Sequence, residues 1–336
     1  MTSGQAYACA VVGAGAWGTA LADLLARNGH CVRLWAREAD VVASIAQSHE
    51  NQRFLKGVRL APSLESCSKV TDAVRGAALI VYAPPSEHFR EVVRASAPAV
   101  ERGATIAVAS KGLEPETLQV MTAVAIEELP GRPVVALSGP SFAAEVAAHQ
   151  PTAVVAAGPD VAARELVQRL LSSREFRVYT HDDALGVELG GALKNVMAVA
   201  TGICEGLGLG YNSRAALITR GLAEMIRLGV ALGAQSTTFA GLAGMGDLVL
   251  TCTGALSRNR ALGVAVGKGA TLAEAMVGKE TVAEGVTTAK SALKLAERVG
   301  VDMPIVAGVH RILFEGKPAR ESIAELMERE LRAESD

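Results

Sequence analysis

The stretch Leu189–Ala198, LGGALKNVMA, contains the residue best suited to chemistry. Lys194 is the only charged residue between Leu189 and Cys204. Burial among apolar side chains disfavours a charged ammonium group and lowers its pKa. Such a lysine can exchange a proton with a substrate oxygen near neutral pH. The alternatives are a lysine whose head group reaches solvent, or one paired with a carboxylate such as Glu188.

Two glycines precede this lysine on the predicted helix. Gly190 and Gly191 lie on the same helix face as Lys194, and each costs roughly 1 kcal/mol of helix stability relative to alanine. We expect them to let a ligand approach the ammonium group, with Asn195 as a second polar contact.

Further polar residues follow in the second half of the chain. Asp247 comes after a glycine-rich segment, where it can accept a hydrogen bond from a substrate hydroxyl or hold Lys194; a helix N-cap is the alternative. The SRNR sequence at Ser257–Arg260 groups a hydroxyl, two guanidinium groups and an amide, which suits phosphate oxygens at a helix start. A solvated basic turn is the alternative there. Glu284 is a weaker candidate, because helix capping also explains it.

The sequence VVGAGAWG places Gly13, Gly15 and Gly18 in the GxGxxG spacing. It joins a predicted strand to a predicted helix. Gly13 permits a tight turn, Gly15 lets the backbone approach a pyrophosphate, and Gly18 lets the helix pack against the strand. The amides at the helix N-terminus would then bind the anion. The motif predicts a dinucleotide cofactor.

The end of the second predicted strand bears on which dinucleotide is bound. An NAD enzyme usually carries an acidic residue there for the ribose 2′-hydroxyl. This chain reads LWAREAD, with Arg37 first and Glu38 behind it. A guanidinium group suits a 2′-phosphate, so NADP is favoured and NAD remains possible. A solvated surface arginine is the alternative.

Three loops follow predicted strands in the first half: APPS, SKGLE and SGPSFAAE. In open α/β sheets, ligands bind outside the carboxyl ends of the strands. Lys111 in the second loop can bind an anion or a polarised oxygen there, although an ordinary exposed lysine is the alternative. In the third loop, Gly139 and Pro140 shape a turn that makes the backbone donors of Gly139 and Ser141, and the Ser141 hydroxyl, available.

The elements that must position these residues follow from the apolar pattern. Short apolar runs without polar alternation are typical of parallel strands covered on both faces. The candidate strands, most of which show this pattern, are Ala8–Val12, Cys31–Trp35, Leu79–Tyr82, Thr105–Ala109, Val134–Leu137, Ala153–Ala157 and Phe176–Tyr179. The helical stretches between them include Thr19–Arg27, Ser86–Ser96 and Glu116–Glu128. Repeated βαβ units of this kind predict an α/β fold with a doubly wound (Rossmann) sheet.

After about Asp182 the strand signals stop and helical periodicity takes over. The predicted helices, besides the one that carries Lys194, are Ser213–Leu232, Thr271–Met276, Thr287–Val299 and Glu321–Arg332. We therefore predict a dinucleotide-binding domain over residues 1–185 and an all-helical substrate domain over residues 186–336.

Composition indicates a soluble globular protein that acts on small molecules. The chain has 336 residues, 50% of them hydrophobic, and a formal net charge of -2, which gives no electrostatic reason for nucleic acid as a partner. Its 5 cysteines show no CxxC spacing and its 6 histidines no HxxxH spacing, so we expect neither a metal site nor disulfides, and a reducing cytoplasm fits best. Glycines in the longest uncharged run disqualify it as a membrane span, and no secretory signal is recognised.

The chain resembles the bacterial NAD(P)-dependent glycerol-3-phosphate dehydrogenase family over nearly its whole length. The motifs that carry the resemblance are GAGAWGTALA, ASKGLE, SGPSFAAE, VELGGALKNVMA, NSRAALITRGLAEM, GLAGMGDLVLTCT and SRNR. The resemblance implies reversible reduction of dihydroxyacetone phosphate to sn-glycerol 3-phosphate, which feeds phospholipid synthesis. It also implies a Rossmann domain joined to a helical domain, and a homodimer.

The same resemblance assigns roles to particular residues. It implies that Lys194 transfers the proton, assisted by Lys111 and Asp247. It implies substrate contacts from Lys111, Gly139, Ser141, Lys194, Asn195, Asp247, Thr251, Ser257, Arg258 and Asn259. It implies cofactor contacts, besides the three glycines, from Ala16, Trp17, Arg37, Lys111, Ala143, Arg258, Val282 and Glu284. Ala16 departs from the serine common in the family, and the loop Gln52–Gly57 lacks a usual proline, which leaves its role open.

Two rival functions remain at this stage. A reductase of a β-hydroxy acid or 2-keto acid would bind a carboxylate, and the SRNR cluster disfavours it because a phosphate accounts better for both arginines. A regulatory protein that senses NADP(H) without turnover would not require a desolvated lysine, so Lys194 argues against it.

Overall fold

The computed structural model describes residues 5–278, 283–330 and 333. Val282, for which the resemblance implies a cofactor contact, lies outside the described residues. The described chain forms one eight-stranded sheet and, after it, a helical region.

The sheet has the strand order β3-β2-β1-β4-β5-β6-β7-β8. All neighbouring strands are parallel except β6 and β7. The strands are β1 (Ala8–Val12), β2 (Cys31–Trp35), β3 (Glu65–Cys67), β4 (Leu79–Tyr82), β5 (Thr105–Val108), β6 (Val134–Ser138), β7 (Thr152–Ala157) and β8 (Phe176–His181). The predicted doubly wound sheet is confirmed. The sequence analysis missed β3, because this short edge strand, ESC, has no apolar run.

Seven helices cover the two faces of the sheet, and each face has its own apolar core. They are α1 (Ala16–Arg27), α2 (Ala39–Ser48), α3 (Val70–Val74), α4 (Phe89–Ser96), α5 (Met121–Glu128), α6 (Ala143–Ala147) and α7 (Val161–Leu171). The predicted start of α5 at Glu116 is wrong. Residues 113–120 instead form a loop closed by a bridge between Leu113 and Val120, and Leu113 and Leu118 are buried in the core of the helical region.

The helical region is built around α8 (Ala184–Gly206). Its other helices are α9 (Tyr211–Ala231), α10 (Asp247–Thr253), α11 (Arg258–Gly267), α12 (Leu272–Met276), α13 (Glu284–Val299), α14 (Pro304–Phe314) and α15 (Ala319–Met327). Five of them pack against α8, whereas α12 packs on α11 and α15 packs on α14. A single π-helical turn, Leu242–Gly246, leads directly into α10. By length and composition α8 could cross a membrane, but its apolar window is 100% buried inside the protein, as in the central helix of a folded core. The predicted boundary after residue 185 falls within its first turn and stays a prediction.

Close packing of α8 against α11 depends on two pairs of glycines. Gly202 and Gly206 on α8 face Gly263 and Gly267 on α11. A Cβ atom added to Gly263 would lie 2.1 Å from the Val199 carbonyl oxygen and 2.9 Å from the Gly202 Cα atom. This contact fixes Lys194 and Asn195, on α8, relative to the residues at the start of α11.

Candidate active site

Lys194 lies inside the protein, with its ammonium group hydrogen-bonded to two polar side chains. Only 6% of the residue is exposed. Its Nζ atom donates to Asp247 Oδ1 and, at 2.8 Å, to Thr251 Oγ1. Asp247 and Thr251 stand one turn apart on α10, and the Thr251 hydroxyl also donates to the Asp247 carbonyl oxygen at 2.6 Å. Of the two alternatives for this lysine, pairing with a carboxylate applies, but the partner is Asp247.

Lys111 approaches the same carboxylate from the sheet. It follows β5, and its Nζ atom donates to Asp247 Oδ2 at 2.7 Å and to the Gly139 carbonyl oxygen at 3.4 Å. The Lys111 side chain is 14% exposed, against 1% for Asp247. The carboxyl ends of β5 and β6 therefore meet α8 and α10 at this point, and the three side chains predicted as catalytic lie together.

The charges in this cluster shift one another's proton affinities. Burial lowers the pKa of Lys194 from 10.5 to about 8, with the Asp247 charge opposing the shift and the Lys111 charge adding to it. Burial acts to raise the pKa of Asp247, but the two ammonium groups outweigh it and hold that pKa below its ordinary value. The site therefore combines an ionised carboxylate with a lysine that can lose its proton near neutral pH.

Gly190 and Gly191 do not border a ligand space, contrary to our expectation. A Cβ atom on Gly190 would lie 2.5 Å from the Ala243 carbonyl oxygen, and one on Gly191 would lie 2.6 Å from Ser138 Oγ. The glycines let α8 pack against the π-helical turn and the end of β6. Glu188, the suggested partner of Lys194, instead accepts a hydrogen bond from the Thr122 amide at 2.9 Å, at the start of α5.

Asn195, Asn259 and Glu284 form a chain of hydrogen bonds beside the lysine. Asn195 Nδ2 donates to Glu284 Oε2 at 3.0 Å, and Asn259 Nδ2 donates to Asn195 Oδ1 at 2.9 Å. The Gly285 amide donates to Asn259 Oδ1 at 2.9 Å. These bonds tie α8, α11 and α13 together. Glu284, expected at the cofactor, thus contacts a residue expected at the substrate.

The SRNR cluster divides into two parts. Ser257 caps α11 by accepting a hydrogen bond from the Arg260 amide at 3.2 Å. Arg258, the first residue of the helix, is exposed. Arg260 is bound to Glu205 by two hydrogen bonds of 2.9 and 2.7 Å. The argument that a phosphate engages both arginines is therefore wrong for Arg260.

The turn after β6 lies next to Lys111. Gly139 has a φ of +146°, and a Cβ atom there would lie 2.9 Å from Val154 Cα on β7. Its carbonyl oxygen accepts hydrogen bonds from Lys111 and, at 2.9 Å, from the Ser141 hydroxyl. Gly139 and Ser141 therefore lie next to the lysine cluster, and their contact with the substrate stays a prediction.

The glycine-rich turn joins the end of β1 to the start of α1. Gly13 has a φ of +111°, and a Cβ atom there would lie 2.9 Å from the backbone of Ala83, whereas the space above Gly15 is open. Gly15 precedes α1, whose first residues, Ala16 and Trp17, present the unbonded amides of a helix N-terminus. The Trp17 Nε1 atom is buried and has no hydrogen-bond partner among the described residues. An open space, helix amides and an orphaned indole donor fit a bound dinucleotide.

Asn51, which binds the glycine-rich turn from a distant part of the chain, is a residue that sequence reasoning missed. It is fully buried, and its Nδ2 atom donates to the Ala14 carbonyl oxygen and to Thr19 Oγ1, each at 2.8 Å. Its Oδ1 atom accepts from the Phe54 amide at 3.0 Å. The segment Gln52–Gly57 thus extends from a residue that tethers the glycine-rich turn. Because Asn51 lies 32 positions beyond its partner Thr19, no local sequence pattern indicates this contact.

Arg37 lies at the carboxyl end of β2, with its side chain 68% exposed and paired to Glu38 at 3.1 Å. The parallel register pairs Trp35 with Cys67, so Lys69 occupies the place after β3 that Arg37 occupies after β2. Lys69 is exposed. Two cationic residues therefore lie at this edge of the sheet.

Ala143 lies at the start of α6, where it packs against the same apolar core as Trp17. The contact between α1 and α6 brings the SGPSF turn close to the glycine-rich turn.

A Rossmann sheet whose strand ends face a buried lysine on an adjoining helical domain defines a class of protein, the two-domain NAD(P)-dependent dehydrogenases. Comparison with sequence models of known families narrows this class further. The sequence model of the NAD-dependent glycerol-3-phosphate dehydrogenase N-terminus matches residues 8–164, and that of the C-terminus matches residues 183–324. The chain belongs to this family, which confirms the resemblance noted from the motifs.

Individual proteins agree with the family assignment. The chain is 54% identical to a glycerol-3-phosphate dehydrogenase [NAD(P)+] of Geobacter sulfurreducens, over 96% of this chain and 98% of the relative. The crystal structure of a glycerol-3-phosphate dehydrogenase from Coxiella burnetii has a TM-score of 0.93 and 41% identity, and the match covers 96% of this chain and 99% of that one. A ketopantoate reductase from Ralstonia eutropha, with 17% identity and a TM-score of 0.61 over 95% of this chain and 99% of that one, shares the fold alone.

Proposed function

We propose that this protein interconverts sn-glycerol 3-phosphate and dihydroxyacetone phosphate by hydride transfer with NAD(P)(H). The observation that carries the proposal is the buried cluster in which Lys194 and Lys111 share the Asp247 carboxylate. It lies where the carboxyl ends of β5 and β6 meet the helical domain, as expected for a substrate site beside a nicotinamide.

Lys194 is the proton-transfer group in this proposal. The nicotinamide, when bound, supplies or accepts the hydride at the substrate carbon. The Lys194 ammonium group donates a proton to the ketone oxygen during reduction and takes it back during oxidation. Its pKa of about 8, set mainly by burial, makes both protonation states accessible near neutral pH.

Lys111 and Asp247 hold Lys194 in position and stabilise the charge that develops on the substrate oxygen. Asp247 keeps one oxygen on each lysine, so the two ammonium groups are held at fixed positions. Their combined charge exceeds that of the carboxylate, and the excess positive charge stabilises negative charge that develops on the substrate oxygen. The Thr251 hydroxyl accepts the second hydrogen bond from the Lys194 ammonium group.

The phosphate of the substrate binds at the start of α11. Ser257, Arg258 and Asn259 occupy the first positions of this 10-residue helix, where unbonded amides favour an anion. The Asn195–Asn259 hydrogen bond connects the phosphate end to the lysine helix. Gly139 and Ser141 border the same pocket from the sheet. Binding energy at the phosphate then positions the ketone for hydride transfer.

The decisive experiment is an absorbance assay of cofactor oxidation with dihydroxyacetone phosphate. We expect turnover by the wild type and a loss of at least about hundredfold in Lys194→Ala, since general acid catalysis contributes 10²–10⁴-fold. Lys268→Ala, which alters an exposed lysine on the same domain, is the matched control and should keep its activity. A wild type that oxidises neither NADPH nor NADH with this substrate would rule out the function; an active Lys194→Ala would rule out the proton-transfer role.

NADPH is the preferred cofactor in this proposal, with Arg37 and Lys69 on either side of the 2′-phosphate. Two cationic residues after adjacent strands support this choice. Arg37→Asp should shift kcat/KM from NADPH toward NADH. Lys69→Ala should weaken the binding of 2′,5′-ADP, measured by calorimetry, and leave the binding of 5′-AMP unchanged. Equal NADPH preference before and after the arginine substitution would contradict the assignment.

The same activity suggests a place in the cell. We propose a homodimer in the cytoplasm that supplies glycerol 3-phosphate, the backbone of glycerophospholipids, for membrane synthesis. The family assignment supports the dehydrogenase activity on which this role depends. Sedimentation equilibrium at micromolar protein concentration tests the dimer directly, and a mass equal to one chain would rule it out.

A further inference from the structure

Lys111 reaches Asp247 from a loop that spans both domains, and that loop is anchored at a point remote from the site. We propose that Arg90 and Glu114 are positioning residues, which hold the 111–120 loop so that Lys111 stays on Asp247. The proposal rests on the function assigned above, because it concerns how the reacting cluster is assembled.

The loop is folded back on itself between the two domains. The Glu114 amide donates to the Gln119 carbonyl oxygen, and the Leu118 amide donates to the Glu114 carbonyl oxygen, each at 2.9 Å. Leu118 has a φ of +65°, an uncommon conformation for a bulky residue. Leu113 and Leu118 are buried in the helical core, so one side of the loop belongs to the helical domain.

On its other side the loop is attached to Arg90 of the Rossmann domain, mainly through the Glu114 carboxylate and also through Gln119, whose Oε1 atom accepts from Arg90 Nη2 at 3.2 Å. Arg90, on α4, donates from Nε to Glu114 Oε1 at 2.7 Å and from Nη2 to Glu114 Oε2 at 2.8 Å. Glu114 is 8% exposed, whereas the Arg90 side chain is 24% exposed, so this two-pronged pair is partly shielded from water. The Arg90 guanidinium group holds the pKa of Glu114 below its ordinary value, although burial opposes it. The Thr117 hydroxyl also donates to Glu114.

Arg90 is itself fixed to the far end of α5. Its Nη1 atom donates to Glu127 at 2.8 Å and to Glu128 at 2.9 Å. The guanidinium group therefore joins α4, α5 and the loop between β5 and α5. Because Glu114 lies only three positions after Lys111, loss of this anchor displaces the backbone from which the lysine reaches into the site.

Displacement of Lys111 has a specific chemical consequence. Lys111 and Lys194 are held on opposite oxygens of Asp247. When Lys111 withdraws, Lys194 loses a like charge and keeps the whole carboxylate, and both changes favour its ammonium form. The pKa of Lys194 then rises, which a general loss of stability would not produce.

Arg94 provides a matched control for Arg90. It lies one turn further along α4, and its guanidinium group donates to Glu128 at 3.0 and 2.8 Å. In the part of the chain that the structure describes, Arg94 has no hydrogen bond to the 111–120 loop. The pair of substitutions therefore separates attachment of the loop from attachment of α4 to α5.

The experiment compares Glu114→Gln and Arg90→Ala with Arg94→Ala in the full-length protein. We expect kcat/KM for dihydroxyacetone phosphate to fall about tenfold to a hundredfold in the first two, as a misplaced catalytic group can cost 10²-fold. The alkaline limb of the pH profile for reduction should move to higher pH in both. Arg94→Ala should keep the wild-type value and profile. If Arg90→Ala does not fold, the comparison of Glu114→Gln with Arg94→Ala alone tests the proposal.

A second measurement reports on Lys111 without turnover. Brief treatment with acetic anhydride, followed by peptide mass spectrometry, gives the acetylation rate of Lys111. We expect faster acetylation in Glu114→Gln than in the wild type or Arg94→Ala. Unchanged kcat/KM, a fall in kcat/KM without the pH shift, or an unchanged acetylation rate would each overturn the proposal. A wild type inactive with dihydroxyacetone phosphate would refute the proposed function instead, and the acetylation comparison would still test the anchor.

Discussion

The Asp247 carboxylate binds a different ammonium group with each of its two oxygens. A single ion pair at this depth would be electrically neutral, whereas two lysines leave one positive charge in excess. Water is largely excluded around Asp247, which is 1% exposed, so the excess charge acts through a medium of low dielectric constant. The cluster is therefore arranged to stabilise an anion that the free protein does not contain.

The ionisation of Lys194 predicts opposite pH dependences for the two directions of the reaction. Burial lowers its pKa to about 8, so reduction, which needs the ammonium form, should weaken as the pH rises past about 8. Oxidation, which needs the neutral amine, should strengthen over the same range. Initial rates at saturating substrate, measured from pH 6 to 10, test both.

The Asp247→Asn variant is the control for this assignment. The Asp247 charge raises the pKa of Lys194, so its removal should move both pH limbs toward lower pH. Limbs that stay in place would mean that another group titrates.

At the scale of residues, a role could be predicted only where the neighbouring sequence indicated it. Lys194 was recognisable because a lone charge in an apolar helix is unusual. The phosphate role of Arg260 was wrong because its partner, Glu205, lies 55 positions away, and a distant ion pair leaves no pattern around the arginine. For the same reason, Glu188 was suggested as an alternative partner of Lys194, whereas it binds Thr122 of the Rossmann domain, 66 positions away.

At the scale of elements, the α8–α11 contact explains how Lys194 and the start of α11, where we propose the phosphate binds, keep their spacing. The four glycines allow backbone-to-backbone approach, and a Cβ atom on Gly263 would lie 2.1 Å from the Val199 carbonyl oxygen. Gly263→Ala should therefore lower the free energy of unfolding by roughly 1–3 kcal/mol, as expected for overpacking. Urea denaturation followed by circular dichroism measures this change.

The control for that substitution is Gly103→Ala. A Cβ atom at Gly103 has no neighbour within 4 Å, so the effect should stay within roughly 0.5 kcal/mol. Equal effects of the two substitutions would show that the helix contact tolerates a methyl group.

Glu188 gives a prediction for the contact between α8 and α5. Burial raises its pKa from 4.5 to about 7, although hydrogen bonds from Thr122 oppose the shift. The folded protein then holds a proton that the unfolded chain has released, so this carboxyl group destabilises the fold as the pH rises from about 4.5 through 7. The loss is on the order of 3 kcal/mol.

Glu188→Gln removes this titration while preserving the shape of the side chain. The drop in unfolding free energy between pH 5 and pH 8, measured by urea denaturation, should be smaller in the variant than in the wild type. The comparison between the two proteins cancels the contribution of Glu224, whose pKa burial also raises. An identical drop in both proteins would refute the assigned titration.

The elements themselves were largely predictable, and the exceptions have physical reasons. Seven of the eight strands appeared as apolar runs, most of them because both faces of the sheet are covered there, whereas the edge strand β8 has alternating buried and exposed residues. The eighth, β3, is an edge strand with little burial. The start of α5 was placed too early because Leu113 and Leu118 are recruited to the helical core, and a tertiary contact of this kind overrides local helical periodicity.

At the scale of the whole molecule, the two halves share apolar contacts. Ala136, Val155 and Ala157 from the sheet pack with Val187 of α8 and with Ala243. Together with the buried leucines of the 111–120 loop, this joins the sheet and the helical core into one packed interior. The sequence suggested two domains but could not reveal this apolar contact between them, because its residues come from distant parts of the chain.

This shared interior predicts that the two halves unfold together. Differential scanning calorimetry should give one transition whose calorimetric and van't Hoff enthalpies agree. NADPH at about 100 times its dissociation constant should add about 2.7 kcal/mol of stability and raise the midpoint of the entire transition. Lys194→Ala, which leaves the glycine-rich turn intact, should show the same NADPH-induced rise. Two resolved transitions, with NADPH raising the midpoint of only one, would mean that the apolar contact between the two halves is too weak to couple their unfolding.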